Sequence, residues 1–485
     1  MKTNTLDFDA QALRDKILDL AMRGKLVPQD PNDEPASVLL EKIKAEKAEL
    51  VKEKKIKKSK PLPEITDDEK PFDIPDSWEW VRIDTFNTYN GHSVHPDKNP
   101  NELFELYSVP IYENKHPEEV AGKKIKSNKQ SVKLDDILLC KINPRINRVW
   151  KVGSFTKYKS IASTEWIVIR QKYIVSNYLR YAFMSPYFRE LLQSEVSGVG
   201  GSLTRAKPKI VKNYIVPLPP LSEQSRIAAK IAQLFALLRK VETSTQQYAK
   251  LQTLLKSKVL DLAMRGKLVK QDPNDEPASE LLKKIKAEKA ELIKEKKIKK
   301  SKPLPPITDE EKPFDIPDSW EWVRLESVCD EIGDIDHKMP RKTINGQYLY
   351  ISPKDFTKNG IDYDHAKRIS EDDFKKLSQK FLPKKGDLIF PRYGTIGIIR
   401  KINTERPVLV SYSCCLIRSN KNMSNDFIQY ELKSKITKKE IDKYVNRSTQ
   451  PNVGLKSIKS FLFPLPPLEE QKRIVSKIIE LFSLL

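Results

Sequence analysis

Two pairs of short segments carry residue types that can read the edge of a nucleic-acid base. The first pair is KINPRINR at 141–148 and SGVGGSLTRAK at 197–207; the second is PRYGTIG at 391–397 and NRSTQPN at 446–452. Arginine can donate two parallel hydrogen bonds to guanine, and asparagine or glutamine can bracket adenine. Hydroxyls and ammonium groups serve bases and phosphates alike. The candidate contact residues are Lys141, Asn143, Arg145, Arg148, Thr204, Arg205 and Lys207 in the first pair. In the second they are Arg392, Tyr393, Thr395, Arg447, Ser448, Thr449, Gln450 and Asn452. Any one of these segments also fits an ordinary surface turn. The segments at 141–148 and 391–397 each follow a strand-like run, and those at 197–207 and 446–452 occupy equivalent places before the PLPP boxes; this matched placement in two dissimilar domains favours a shared role.

Little else in the chain suggests covalent chemistry. There is no GxxxxGK[ST] phosphate loop, and no glycine-rich loop for a dinucleotide or S-adenosylmethionine follows a strand. Asn143-Pro144 continues with Arg-Ile rather than the Pro-aromatic of adenine methyltransferases. His92 and His95 form HxxH with no third ligand nearby, which reads as a loop pair rather than a metal site. E-x-K triplets, which could suggest a nuclease, arise by chance in a chain that is 32% charged. The expectation is a non-catalytic protein with no cofactor or metal of its own.

The elements that must position these segments are short β-type runs: DILLCKI at 136–142, TEWIVIR at 164–170, GDLIFPR at 386–392 and CCLIRS at 414–419. Helical stretches at 177–195 and 425–445 follow. Each variable segment opens with IPDSWEWVR, whose alternating tryptophans (Trp78 and Trp80, Trp320 and Trp322) suit a first strand packed on a core. Segment 84–122 has two basic and seven acidic residues, whereas 123–212 has 19 basic and five acidic. Segment 375–459 repeats the basic trend, with 19 basic and six acidic residues. Two dissimilar sequences that share a cationic back half suit phosphate binding. The net charge of +22 points the same way.

These segments sit in a duplicated frame. Residues 18–82 align with 260–324 without gaps, and 59 of the 65 positions are identical. A second match relates PLPPLSEQSRIAAKIAQLFALL at 217–238 to PLPPLEEQKRIVSKIIELFSLL at 464–485. From Ile227 an apolar seam alternates four and three residues through Ile231, Leu234, Leu238, Val241, Thr245, Tyr248, Gln252, Leu255, Val259 and Leu262. That spacing predicts a long coiled-coil-like helix of about 45 residues, roughly 65–70 Å. The chain ends carry the two halves of the same pattern, so they should pack antiparallel against it. Leu485 falls mid-pattern, and a slightly longer natural chain is expected. Charged helices are expected at 35–57 and 277–299, solvated or available to a partner. No run of 18 apolar residues or apolar leader is present, and Cys140, Cys329, Cys414 and Cys415 form no CxxC pair. A cytoplasmic protein with small core cysteines is expected.

The two PLPPLxEQxRI boxes, the helix ending LDLAMRGKLV, the repeated IPDSWEWVR opening and two dissimilar intervening domains together resemble the specificity subunit of a Type I restriction–modification system. The resemblance implies an α+β fold. Two mixed α/β target-recognition domains would be separated by long antiparallel coiled-coil helices, with pseudo-twofold organisation. The expected divisions are conserved region 1–83, recognition domain 84–216, conserved region 217–325, recognition domain 326–463 and conserved helix 464–485. It also implies double-stranded DNA as ligand, read as a split, asymmetric site. Two methyltransferase subunits and two restriction subunits would be the partners, and S-adenosylmethionine, ATP and Mg2+ would belong to them. A stand-alone DNA-binding regulator and a structural adaptor are the alternative readings.

Overall fold

The computed structural model describes residues 8–194, 196, 197, 204–343, 346–358, 360–447 and 450–485. The fold is α+β, and the chain divides between Thr245 and Gln246, within the central helix, into two compact units. Each unit is built the same way.

In the first unit, helix Ala10–Met22 starts at Asp9, whose carboxylate accepts the Ala12 amide at 2.9 Å. It stops at Gly24, whose φ of +67° lets the chain reverse; a Cβ there would also lie 2.4 Å from Pro75. Gly266, at φ +66°, ends the central helix Leu221–Met264 in the same way. That helix has 44 residues, close to the expected length. The charged helices are Ala36–Lys52 and Ala278–Lys294, shorter than expected. Lys54 and Lys296 turn left-handed (φ 57° each), so that the amides of Lys55 and Lys297 close onto the carbonyls of Leu50 and Leu292. These helices are not wholly solvated. Lys47 points inward and donates to the Asp84 carbonyl, and Lys289 donates to the carbonyls of Glu326 and Cys329.

Strand Glu79–Arg82 pairs antiparallel with Ile215–Leu218, so the strand that opens the variable segment meets the one that closes it. Glu321–Arg324 and Leu462–Leu465 repeat this pairing. Two-stranded ribbons tolerate Pro217 and Pro464, which lack an amide donor. The PLPP boxes then lead into helices at Leu221 and Leu468, and their Glu-Gln pairs build a joint. Buried Glu223 accepts the Trp78 indole at 2.8 Å and the Gln29 amide at 2.6 Å. Glu470 accepts Trp320 at 2.9 Å and Gln271 at 2.6 Å. Gln224 accepts the Val175 amide and donates to the Pro219 carbonyl, both at 2.9 Å; Gln471 treats Ser424 and Pro466 alike. Trp78, Trp80 and Trp320 are buried and Trp322 half-buried, as core packing requires.

The terminal helices run antiparallel to the central one within their own units. Arg14 pairs with Glu242 and Gln29 with Glu223 in the first unit. In the second, Arg473 pairs with Asp275, and Lys256 lies over the Phe482 ring. Leu18, Met22, Ile227 and Ile231 thus occupy the core places that Leu260, Met264, Ile474 and Ile478 fill in the second unit. Of the seam, Ile227 and Ile231 are buried, Leu234, Leu238, Val259 and Leu262 are half-buried, and Val241, Tyr248 and Leu255 are exposed. The stretches expected as helical at 177–195 and 425–445 are each broken in two. Ser185 turns extended ahead of Pro186, and Ser434 starts a new helix by capping the Ile436 amide. All four cysteines are buried.

Candidate nucleic-acid interface

In the first unit, strand Ile137–Cys140 lies between Val149–Lys151 and Trp166–Ile169 in an antiparallel sheet. The 141–148 loop bridges the first two strands. Asn143 and Asn147 sit at φ 48° and 49°, a left-handed conformation that asparagine tolerates better than most residues. This turn lets the loop pair with a distant segment. The Asn143 amide donates to the Thr204 carbonyl at 2.8 Å, the Ala206 amide to the Lys141 carbonyl at 2.8 Å, and Ile142 bridges to Arg205.

The second unit repeats this with different side chains. Strand Leu388–Pro391 pairs with Cys414–Ser419 and Arg400–Lys401. Gly394 takes the left-handed turn at φ +67°. Its amide donates to the Pro451 carbonyl at 3.1 Å, the Val453 amide to the Arg392 carbonyl at 2.9 Å, and Tyr393 bridges to Asn452. In each unit the backbone therefore sews together two segments that are far apart in sequence.

At the far end of the strand that leads into each joint lies an ion pair that the sequence did not single out. Asp136 is buried, accepts the Lys133 amide at 2.8 Å, and takes Arg170 bidentately at 2.7 and 2.5 Å. Asp387 accepts Lys384 at 2.8 Å and Arg418 at 2.9 and 2.7 Å. Burial by itself would lower the Arg170 pKa, but the carboxylate beside it holds the guanidinium above its ordinary value. The available signal was the aspartate that opens both DILL and DLIF. A third segment also reaches each joint: the Lys141 amide donates to the Glu165 carbonyl at 3.1 Å, and that of Arg392 to the Ser413 carbonyl at 2.9 Å.

The candidate contact residues are presented differently. Arg145, Arg205, Lys207, Thr395, Arg447 and Gln450 are exposed, while Lys141, Asn143, Arg148, Thr204, Tyr393 and Asn452 are half-buried. Arg145 Nε donates to the Asn143 side-chain oxygen Oδ1 at 3.0 Å, which ties two candidates together. Arg447 pairs loosely with Asp442 at 3.6 Å. Arg392 is set apart: it is 5% exposed, 2.5 Å from buried Asp334, and 4.9 Å from the Tyr393 ring centroid. Its guanidinium braces the joint from inside instead of standing on the surface. Ser448 and Thr449 lie outside the described residues. Among the described residues, no group of three or more His, Cys, Asp or Glu could hold a metal ion, and no helix is long and apolar enough to cross a membrane.

Comparison with known proteins gives a consistent result. The family described as "Type I restriction modification DNA specificity domain" matches residues 75–252 and again 317–484. The Type I restriction enzyme EcoAI specificity subunit of Escherichia coli is 36% identical, over 98% of this chain and 89% of that protein. The EcoEI specificity subunit of the same species is 33% identical with the same coverage. One solved structure, described as "Structural basis underlying complex assembly and conformational transition of the type I R-M system", has a TM-score of 0.59. It covers 85% of this chain and 92% of that chain at 21% identity, and that likeness concerns the fold alone.

Proposed function

The chain belongs to the specificity subunits of Type I restriction–modification systems, and we propose that it reads a bipartite, asymmetric DNA site, one half with each unit. The observation that supports this most is the repeated joint. Near-identical frames carry the same backbone seam between two loops, yet the loops themselves differ. Equal frames with unequal loops suit two unlike half-sites, whereas two equal readers would suit a palindrome.

In this reading residues 84–216 and 326–463 are the recognition domains, and 1–83, 217–325 and 464–485 are the conserved frame. Arg145, Arg205, Lys207, Arg447 and Gln450 stand where base edges and phosphates can reach them. Lys141, Asn143, Arg148, Thr204, Tyr393, Thr395 and Asn452 complete the two surfaces, together with Ser448 and Thr449. Arg392 shapes its loop from beneath. Phosphate contacts by the basic back halves position the protein, and the loops specify the sequence.

The frame's two equal copies suit two copies of one partner. Two methyltransferase subunits would dock there, and two restriction subunits would join the complex in the cytoplasm. Adenine methylation and ATP-dependent cleavage, with S-adenosylmethionine, ATP and Mg2+, would reside in those partners, and this chain would catalyse nothing. The test is to exchange residues 84–216 for the corresponding segment of a relative and map adenine methylation across the host genome. One half of the methylated motif should change and the other persist. A motif altered in both halves, or no methylation that depends on this gene, would refute the reading.

A further inference from the structure

Glu165 lies in the turn between strands Lys159–Ser163 and Trp166–Ile169, at the point where the two loops of the first unit meet. Its Oε2 is 3.9 Å from Lys141 Nζ and 3.5 Å from Arg205 Nε. That oxygen is buried and, among the described residues, accepts no hydrogen bond. These are loose ion pairs at the joint itself, unlike the bidentate Asp136–Arg170 pair at 2.7 and 2.5 Å at the other end of strand Ile137–Cys140. A carboxylate that only braced the fold would be expected to be satisfied in the same way as Asp136.

The second unit makes the same provision from another part of the chain. Ser413 takes the place of Glu165, its carbonyl accepting the Arg392 amide at 2.9 Å. The carboxylate there comes instead from Asp334, 2.5 Å from Arg392 and 2.7 Å from Lys380. In both units, then, an acid faces the first cation of the loop that follows the central strand, although the acid occupies different positions.

We infer that Glu165 is a positioning residue for DNA reading, holding Lys141 and Arg205 side by side and biasing the joint toward base edges over phosphates. The inference rests on the reading proposed above. A phosphate brought to the two cations is repelled by the carboxylate already between them. A base edge carries no net charge and meets no such repulsion, while its acceptors can still be engaged by Arg205, whose side chain is 49% exposed. Glu165 therefore lowers sequence-independent binding more than sequence-specific binding, and the difference is gained as discrimination.

The test uses the full chain in complex with its methyltransferase partners. The probes are a duplex bearing the genomic site that the wild-type complex methylates and a scrambled duplex of equal length. Glu165→Gln should tighten binding to the scrambled duplex about fivefold at low salt, and should steepen its log K against log salt plot by about one phosphate's worth. The ratio of specific to non-specific affinity should fall, and Glu165→Asp should recover part of it. An unchanged ratio and slope would overturn the inference, as would equal weakening on both duplexes, which marks a purely structural role. Failure of the underlying reading shows separately, in the wild type alone, as the absence of any preferred bipartite site.

Discussion

Glu431 allows a pH experiment whose sign and size follow from its surroundings. It is 1% exposed in helix Asn425–Glu431, and among the described residues its two oxygens accept only the Thr437 hydroxyl, at 3.1 and 3.2 Å. Burial pushes its pKa up to about 8, with the Glu440 charge acting in the same direction and the Thr437 hydrogen bond opposing it. The folded state thus keeps a proton that the unfolded chain releases at the usual carboxylate value. Its contribution to stability is full below that value, falls as pH rises toward about 8, and is gone above it. The slope is about 1.4 kcal/mol per pH unit, so that by pH 7 up to about 3 kcal/mol has been lost. Glu431→Gln keeps an acceptor for Thr437 and cannot ionise. The first unit supports the substitution: counting from the residue whose amide each joint glutamine caps, Ala182 stands where Glu431 does. Thermal unfolding of wild type and variant from pH 5 to pH 9 should show the variant gaining on the wild type up to about pH 8 and a constant gap beyond. For a unit of this size the gain is about 2–4 °C per kcal/mol. A gap independent of pH would refute the argument, because it would mean that Glu431 does not carry the buried proton.

Two further outcomes are expected. Gly394→Ala should cost about 1 kcal/mol through its left-handed backbone alone, since among the described residues no atom lies within 4 Å of the added Cβ. Denaturant melts would read that loss, methylation mapping should show a change only in the half-site of the second unit, and Asn143→Gly in the first unit should leave stability unaltered. Arg82→Met should destabilise the first unit by about 2 kcal/mol in the same melts, because this 4% exposed guanidinium pairs with Glu69 and also donates to the carbonyls of Pro63, Glu64 and Asn213; no loss would show that Glu69 and water suffice.

Much of this arrangement was legible in the residues. The duplicated frame, the long helix between Pro220 and Gly266, and the strands at 137–140 and 388–391 follow from local periodicity and near-identity, which a linear reading detects. The helices broken at Ser185 and Ser434 show where that reading overreached: the apolar stripe continues, but a proline or a capping serine reverses the backbone beneath it. The shared skeleton of the two recognition units was hidden for a different reason. Asp136 meets Arg170, Asp387 meets Arg418, and Glu165 reaches Arg205 only because sheet order brings together residues dozens of positions apart. The same applies to Arg392, whose residue type suits a base edge but whose guanidinium is committed to Asp334, just past a strand two places away in the sheet. Residue type and spacing establish which groups are available and which elements carry them; whether a given charge faces solvent or a buried partner depends on the packing of strands that the chain order keeps apart.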